Sequence, residues 1–197
     1  MMECKTHVAT TLALGLPLLA VSHEVTAVNV GILALGSLLP DIDHPSSYLG
    51  RRHKIMSSVT NKTLGHRGAT HSIFGLVLFF VISTFIQHHY LSGDTLNLPF
   101  WLSFGYLCHL LEDSLSQQGV RWCWPLFRKK RKKRKKVFYY RTSTMSEYLI
   151  LVLVLAILIF EISLYLKGDF NYPHMQEVVT WCQQKVHNLQ SIINNIT

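Results

Sequence analysis

The most constraining feature of this sequence is an apolar segment near its C-terminal end. Residues 148–166 read YLILVLVLAILIFEISLYL and contain Glu161 as their single charged side chain. A helix rises 1.5 Å per residue, so a segment of this length crosses a hydrocarbon core about 30 Å thick. Residues 73–91 form a second long apolar segment, which has no formal charge. These two segments favour a membrane protein over the alternative, a soluble helical bundle with an unusually apolar core.

Three shorter apolar segments precede or separate the two long ones. Each is too short to span a bilayer comfortably on its own, and each is typical of a helix packed within a bundle. Together the five segments predict an all-α fold, a multi-pass membrane helical bundle. The short segments are residues 8–21, 25–39 and 98–111.

The positive charge of the chain is concentrated in one place. Nine of its nineteen Lys and Arg residues form the unbroken run 128–136, and ten basic and eleven acidic residues remain elsewhere. A nucleic-acid-binding surface spread over the fold is therefore not expected. The run itself favours contact with anionic phospholipid head groups, with a purely topological loop or nucleic-acid contact as alternatives.

The basic loops also predict the orientation of the bundle. Residues 51–67 contain five Lys or Arg and no acid, whereas residues 22–24 and 92–97 contain no Lys or Arg. If the five predicted helices alternate in direction, residues 51–67, residues 128–136 and the N-terminus all lie on one side of the membrane. Because Lys and Arg mark cytoplasmic loops, that side is predicted to face the cytoplasm.

Histidine and aspartate side chains lie at four positions that this arrangement brings together. In an up-and-down bundle, the beginnings of helices one and three lie beside the ends of helices two and four. We therefore expect a metal site at the cytoplasmic ends of the first four helices. The candidate ligands are His7 before helix one, Asp41 and Asp43 after helix two, His66 and His71 before helix three, and His109 and Asp113 at the end of helix four.

The residue types and spacings in this set suit a divalent metal ion. His109 and Asp113 are four residues apart, so they share one face of a helix. Asp41 and Asp43 follow Pro40, in a segment kept out of the helix. Imidazole and carboxylate donors without cysteine favour zinc in a catalytic site, with manganese or iron as alternatives and one or two ions as the expected number.

Two residues beside this set are candidates for a catalytic role. Arg67 offers a planar fork for a phosphate or carboxylate group. His66 is expected either to act as a base or to join the metal ligands. Glu112 and Glu161 are interpreted as structural or surface residues.

At these residues the chain resembles the YdjM family, the LexA-regulated, membrane-bound metal-dependent hydrolases. The blocks that carry the resemblance are LLPDIDHPSSYLG, GHRGATHS and GYLCHLLEDSLSQQGV, together with the early His7. The resemblance implies a bacterial inner (cytoplasmic) membrane protein with a divalent-metal hydrolase site, expressed in the DNA damage response. The resemblance to this family covers most of residues 1–126.

The helix around His109 is also similar to a metal helix of zinc-dependent phospholipase C and the related single-strand nucleases. This more distant similarity implies that Asp113 bridges metal ions. It further implies that Asp41, His71 and His109 surround one ion and that His7 lies near another. The chain departs from that pattern because no H-x-x-x-E follows the helix, and because Ser116-Gln117 stand where YdjM-type chains commonly have Thr-Pro.

These observations predict a membrane-bound metal-dependent hydrolase that acts on a phosphoester, such as a phospholipid or small molecule, through a metal-bound hydroxide. A non-enzymatic, metal-stabilised membrane scaffold or sensor is the alternative, and a nucleic-acid-handling membrane protein is another. The predicted divisions of the chain are a hydrolase-like bundle over residues 1–126, a polybasic loop over 127–146, a transmembrane helix over 147–167 and an amphipathic C-terminal helix over 168–197.

Overall fold

The structure, a computed structural model, describes residues 4–43, 69–91, 97–116, 119–126, 145–169 and 173–195. Within these ranges six α-helices follow one another and no strand occurs, which confirms the all-α prediction. The helices are α1 (Cys4–Val21), α2 (Ala27–Leu38), α3 (Ile73–Tyr90), α4 (Leu98–Ser114), α5 (Met145–Lys167) and α6 (Pro173–Asn194), and a 3-10 turn over Leu39–Asp43 continues from α2.

Three of the described helices, α1, α3 and α5, are long and apolar enough to cross a membrane. The outer faces of α3 and α5 carry large apolar side chains that are exposed, such as Val77, Leu153 and Phe160. Side chains of this kind are stable against lipid tails and costly in water. The structure is thus the multi-pass membrane bundle that the apolar segments predict.

The centre of the bundle is the close contact between α2 and α4. A Cβ atom at Gly36 would overlap the backbone carbonyl of Leu102, and one at Gly105 would overlap that of Leu33. Glycine at both positions therefore lets the two backbones approach, as small residues do between membrane helices. Leu33 and Leu102 belong to the buried core with Leu19, Ile32 and Trp101.

Helix α5 packs against α1 through a second, smaller cluster. Ala9 and Ala13 of α1 and Val154 of α5 are buried there. The alanines lie four residues apart on one face of α1, so they form a shallow surface for the larger side chains of α5. Ile150, Leu151 and Leu158 cover the edges of this contact.

A cluster around Glu24 closes one end of the bundle. The chain leaves α1 through His23, which has a left-handed φ of 59°. The Glu24 carboxylate then accepts hydrogen bonds from Asn97 Nδ2 and Trp101 Nε1, both at 2.6 Å, and from Gln183 Nε2 at 3.2 Å. Glu24 thereby ties the turn after α1 to the beginning of α4 and to α6. The C-terminal helix packs on the bundle itself, against α1, α3 and α4.

Two helix boundaries differ from the prediction in a way that concerns function. Helix α1 begins at Cys4 instead of residue 8, so His7 lies within its first turns and not before it. Helix α4 continues past residue 111 to Ser114, so it includes Asp113, as the predicted shared face of His109 and Asp113 requires. Hydropathy marks where apolar residues begin and end, whereas the backbone hydrogen bonds of a helix extend through polar residues such as Lys5 and Thr6.

Candidate metal centre

Three imidazoles and two carboxylates meet at the end of the bundle opposite Glu24. They come from the beginning of α1, the 3-10 turn after α2, the turn before α3 and the end of α4. All five are almost completely removed from solvent, with exposures between 0% and 4%. The cluster consists of His7, Asp41, His71, His109 and Asp113.

Local structure explains how the two non-helical members reach this position. Asp41 follows Pro40 within the 3-10 turn, which continues from α2 and directs the carboxylate back toward the bundle. His71 precedes Ser72, whose hydroxyl caps α3 by accepting a hydrogen bond of 3.3 Å from Gly75 N–H. The Tyr106 hydroxyl donates to the carbonyl of Thr70, which fastens the turn that carries His71 to α4.

Each histidine uses one ring nitrogen to contact a supporting group. His7 Nδ1 lies 2.6 Å from Glu112 Oε2, and His109 Nδ1 lies 2.7 Å from the backbone carbonyl of Ser37. His71 Nδ1 lies 3.2 Å from the Thr70 hydroxyl. A backbone carbonyl can only accept, so Nδ1 of His109 carries the proton and donates it to Ser37. His7 Nδ1 and the Glu112 carboxyl group share one proton across their 2.6 Å contact. This pattern is typical of metal-ligating histidines, whose other nitrogen is thereby held deprotonated and oriented.

The remaining nitrogen of each histidine faces the carboxylates at 3.3–3.7 Å without forming a hydrogen bond to them. His71 Nε2 lies 3.3 Å from Asp41 Oδ1 and 3.6 Å from Asp113 Oδ2. His7 Nε2 lies 3.7 Å from Asp113 Oδ1, and His109 Nε2 lies 3.7 Å from Asp41 Oδ1. None of these three Nε2 atoms, nor Asp41 Oδ1, has a hydrogen-bond partner within the described part of the chain.

These separations are those expected of ligands to a common ion. Two ligand atoms placed 2.0–2.1 Å from a tetrahedral zinc ion stand about 3.4 Å apart. A direct N–H···O bond would instead bring the two atoms to about 2.9 Å. Buried polar atoms that face one another at the longer distance fit a cation better than they fit mutual hydrogen bonding.

The cluster contains two overlapping sets of three ligands. One set is His7, His109 and Asp113, and the other is Asp41, His71 and His109. Because Nδ1 of His109 is engaged by Ser37, its Nε2 can ligate only one ion. Asp113 directs one oxygen toward His7 and the other toward His71. Either set of three could hold a divalent ion, and the two sets have His109 in common.

The surroundings favour the ionised form of Asp41. Burial disfavours a carboxylate and by itself raises its pKa, but the facing imidazoles of His71, His109 and His7 outweigh that effect. The pKa of Asp41 is therefore held well below its ordinary range. An ionised carboxylate is the form that binds a metal ion.

The predicted site residues are only partly within the described ranges. Five of them form the cluster above. The side chain of Asp43, and the whole of His66 and Arg67, lie outside the described residues. Glu112, which the sequence suggests to be structural or a surface residue, is a buried partner of His7. The only signal for Glu112 in the sequence is its position next to Asp113. That position does not indicate a contact with His7, which lies 105 residues earlier in the chain.

Membrane-spanning helices and a buried His/Asp cluster at one end define a polytopic helical membrane protein with a candidate metal centre. The chain belongs to the YdjM inner membrane protein family, whose profile matches residues 2–170. It is 41% identical over 95 residues to the inner membrane protein YdjM of Escherichia coli K12, covering 46% of each chain. The chain thus spans about half the length of that relative.

Two further relatives extend the comparison. The uncharacterized protein YvsG of Bacillus subtilis 168 is 34% identical over 119 residues, which cover 60% of this chain and 68% of YvsG. The inner membrane protein YbcI of Escherichia coli K12 is 29% identical over 122 residues, which cover 61% and 65%. No solved structure matches the chain. The family and the apolar helices together support an inner-membrane location.

Proposed function

We propose that this protein is a membrane-bound metal-dependent hydrolase of a phosphoester, with zinc as the favoured metal. The observation that carries the proposal is the set of three Nε2 atoms aimed at Asp41 and Asp113 without hydrogen bonds. Buried polar atoms are rarely left without a partner, and a cation would supply one to each of them. Histidine and aspartate donors without cysteine match zinc sites that catalyse, and manganese or iron is the alternative.

When bound, a divalent cation would supply Lewis-acid chemistry, lowering the pKa of a water and polarising a phosphoryl oxygen. The protein's own residues hold and orient the ligands. The Ser37 carbonyl keeps His109 in the tautomer with Nε2 deprotonated, and Glu112 orients the imidazole of His7. Burial of the cluster excludes bulk water and strengthens electrostatic interactions there.

The substrate assignment rests on sequence. Arg67 would bind the phosphate of the substrate, and His66 would act as a base or as a further ligand. The run 128–136 would attract anionic phospholipid head groups at the same, cytoplasmic face. A phospholipid or another membrane-associated phosphoester then reaches the metal centre from the membrane surface.

The test is metal content and phosphoester hydrolysis by the full-length protein in lipid nanodiscs. The wild type is expected to bind one or two zinc ions and to hydrolyse bis-p-nitrophenyl phosphate or phospholipid. The double variant His109→Ala/Asp113→Ala is expected to lose both properties. His174→Ala, which removes an exposed histidine on α6, is the matched control and should retain both. Purified wild type without stoichiometric metal under chelator-free conditions would refute the proposal.

A metal-stabilised scaffold or sensor is the second candidate, and the burial of the site favours it. All five cluster residues are at most 4% exposed, and structural metal sites are closed to water. This candidate predicts tight stoichiometric zinc together with no hydrolysis of either substrate. The same nanodisc experiment therefore separates the two candidates.

A further inference from the structure

Glu147 is a buried carboxylate at the metal-centre end of the bundle, and no ligand set includes it. It lies in the first turn of α5, where acidic residues are ordinarily exposed and interact with the helix dipole. Here its exposure is only 3%. Burying an ionised carboxylate is costly unless a cation or hydrogen bonds compensate, so its position requires an explanation.

The packing of α5 on α1 places Glu147 beside the metal centre. Ala9, Ala13 and Val154 form the contact between the two helices. Thr6 lies one turn before Ala9 on the same face of α1, and Glu147 lies two turns before Val154 on α5. The register of the helix pair therefore brings Thr6 and Glu147 together, and Thr6 Oγ1 donates a hydrogen bond of 3.4 Å to Glu147 Oε1.

This contact acts on the residue next to Thr6, which is His7. The His7 ring is held on one side by Glu112 from α4, at 2.6 Å from Nδ1. The Glu147 carboxylate of α5 accepts a hydrogen bond from Thr6, the residue directly before His7. Glu112 of α4 thus contacts the imidazole itself, and Glu147 of α5 holds the helical turn that carries it.

We infer that Glu147 is a positioning residue of the metal centre, which holds the first turn of α1, and with it His7, in register with Asp113. Helix α5 is then a component of the site as well as a membrane anchor. The inference rests on the metal-binding part of the proposed function and does not require hydrolysis. It identifies a residue outside both ligand sets that acts through Thr6 and His7.

Cobalt(II) binding to the full-length protein in nanodiscs tests this inference, because the visible absorption of cobalt reports ligand geometry. Glu147→Gln keeps the size of the side chain and removes its charge. It is expected to weaken cobalt affinity about 10-fold, the lower end of the range for supporting residues, and to alter the visible absorption. Glu147→Asp, which keeps the carboxylate, should recover part of the affinity.

Two control variants separate positioning from helix stability. Glu161→Gln removes the other carboxylate that lies within α5, away from the centre, and should bind cobalt as the wild type does. Val154→Ala loosens the packing of α5 on α1 without changing Glu147. It should lower the melting temperature while leaving the cobalt absorption spectrum unchanged.

The possible outcomes are distinct for the inference and for the proposed function. Wild-type affinity and absorption in Glu147→Gln would overturn the inference, as would an equal change of affinity and absorption in Val154→Ala. A wild type that binds no cobalt refutes the metal centre itself. A wild type that binds cobalt and hydrolyses no phosphoester refutes only the proposed activity, and the Glu147 comparison then still decides the inference.

Discussion

Replacement of Glu112 by glutamine tests most directly how the centre is built. The Glu112 carboxylate lies 2.6 Å from Nδ1 of His7, and both side chains are at least nine-tenths buried. Glutamine has nearly the same shape and keeps an oxygen that can accept from Nδ1. The substitution therefore removes mainly the negative charge that the carboxylate carries when a cation occupies the centre. A charged acceptor makes the imidazole a more basic ligand, and the neutral amide does not.

The size of the effect follows from the short distance and the burial. A hydrogen bond to a charged group contributes about 1.5–3 kcal/mol, roughly twice the value of a neutral one. Substitution of supporting partners of this kind weakens metal binding about 10–100-fold, which corresponds to about 1.4–2.8 kcal/mol. We expect Glu112→Gln to weaken zinc binding within this range while the protein remains folded.

Competition with a chromogenic zinc chelator, carried out in nanodiscs, measures this affinity. Glu177→Gln is the matched control, because it makes the same chemical change at an exposed position on α6. Equally tight zinc binding by Glu112→Gln and Glu177→Gln would refute this role of Glu112. That result would mean that His7 is not a ligand, or that its contact with Glu112 is purely structural.

Three further changes test other parts of the structure. Gly105→Ala should push α4 away from α2 and displace His109 from Ser37. The overpacking should destabilise the fold by about 1–3 kcal/mol, so both the melting temperature and the zinc affinity should fall. Wild-type values for both would contradict the close contact between α2 and α4. Trp101→Phe removes a donor to Glu24 at the opposite end. It should destabilise the protein by about 1–3 kcal/mol in thermal unfolding and leave zinc affinity unchanged. Zinc affinity should also fall steeply as the pH drops to about 4, because a ligand imidazole must lose its proton to bind and burial lowers the pKa of His109 to about 4. Chelator competition from neutral pH down to about pH 4 that shows no dependence would exclude ligation by His109.

The helices and the location of the cluster follow from simple features of the sequence. Apolar segments mark the helices, because any buried or lipid-facing helix needs them. The meeting of His7, Asp41, His71, His109 and Asp113 at one end follows from alternating helix direction alone. The up-and-down order requires no knowledge of side-chain packing, so it could be predicted with no structure.

The supporting contacts could not be predicted in this way. Glu112 is 105 residues from His7, and Glu147 is 141 residues from Thr6. A buried carboxylate that orients an imidazole has the same sequence signature as one exposed on a helix surface. The role of the Ser37 carbonyl cannot be recognised from residue type at all, since every residue has a backbone carbonyl.

Hydropathy and helix direction thus predict the class of protein, the approximate helices and the end of the bundle at which the ligand residues gather. The tertiary structure decided which nitrogen of each histidine faces the centre and which groups hold it there. The physical reason is that hydropathy and helix direction are properties of single segments, whereas ligand orientation depends on contacts between several. The glycine contact between α2 and α4 and the alanine contact between α1 and α5 bring those segments to within hydrogen-bond distance.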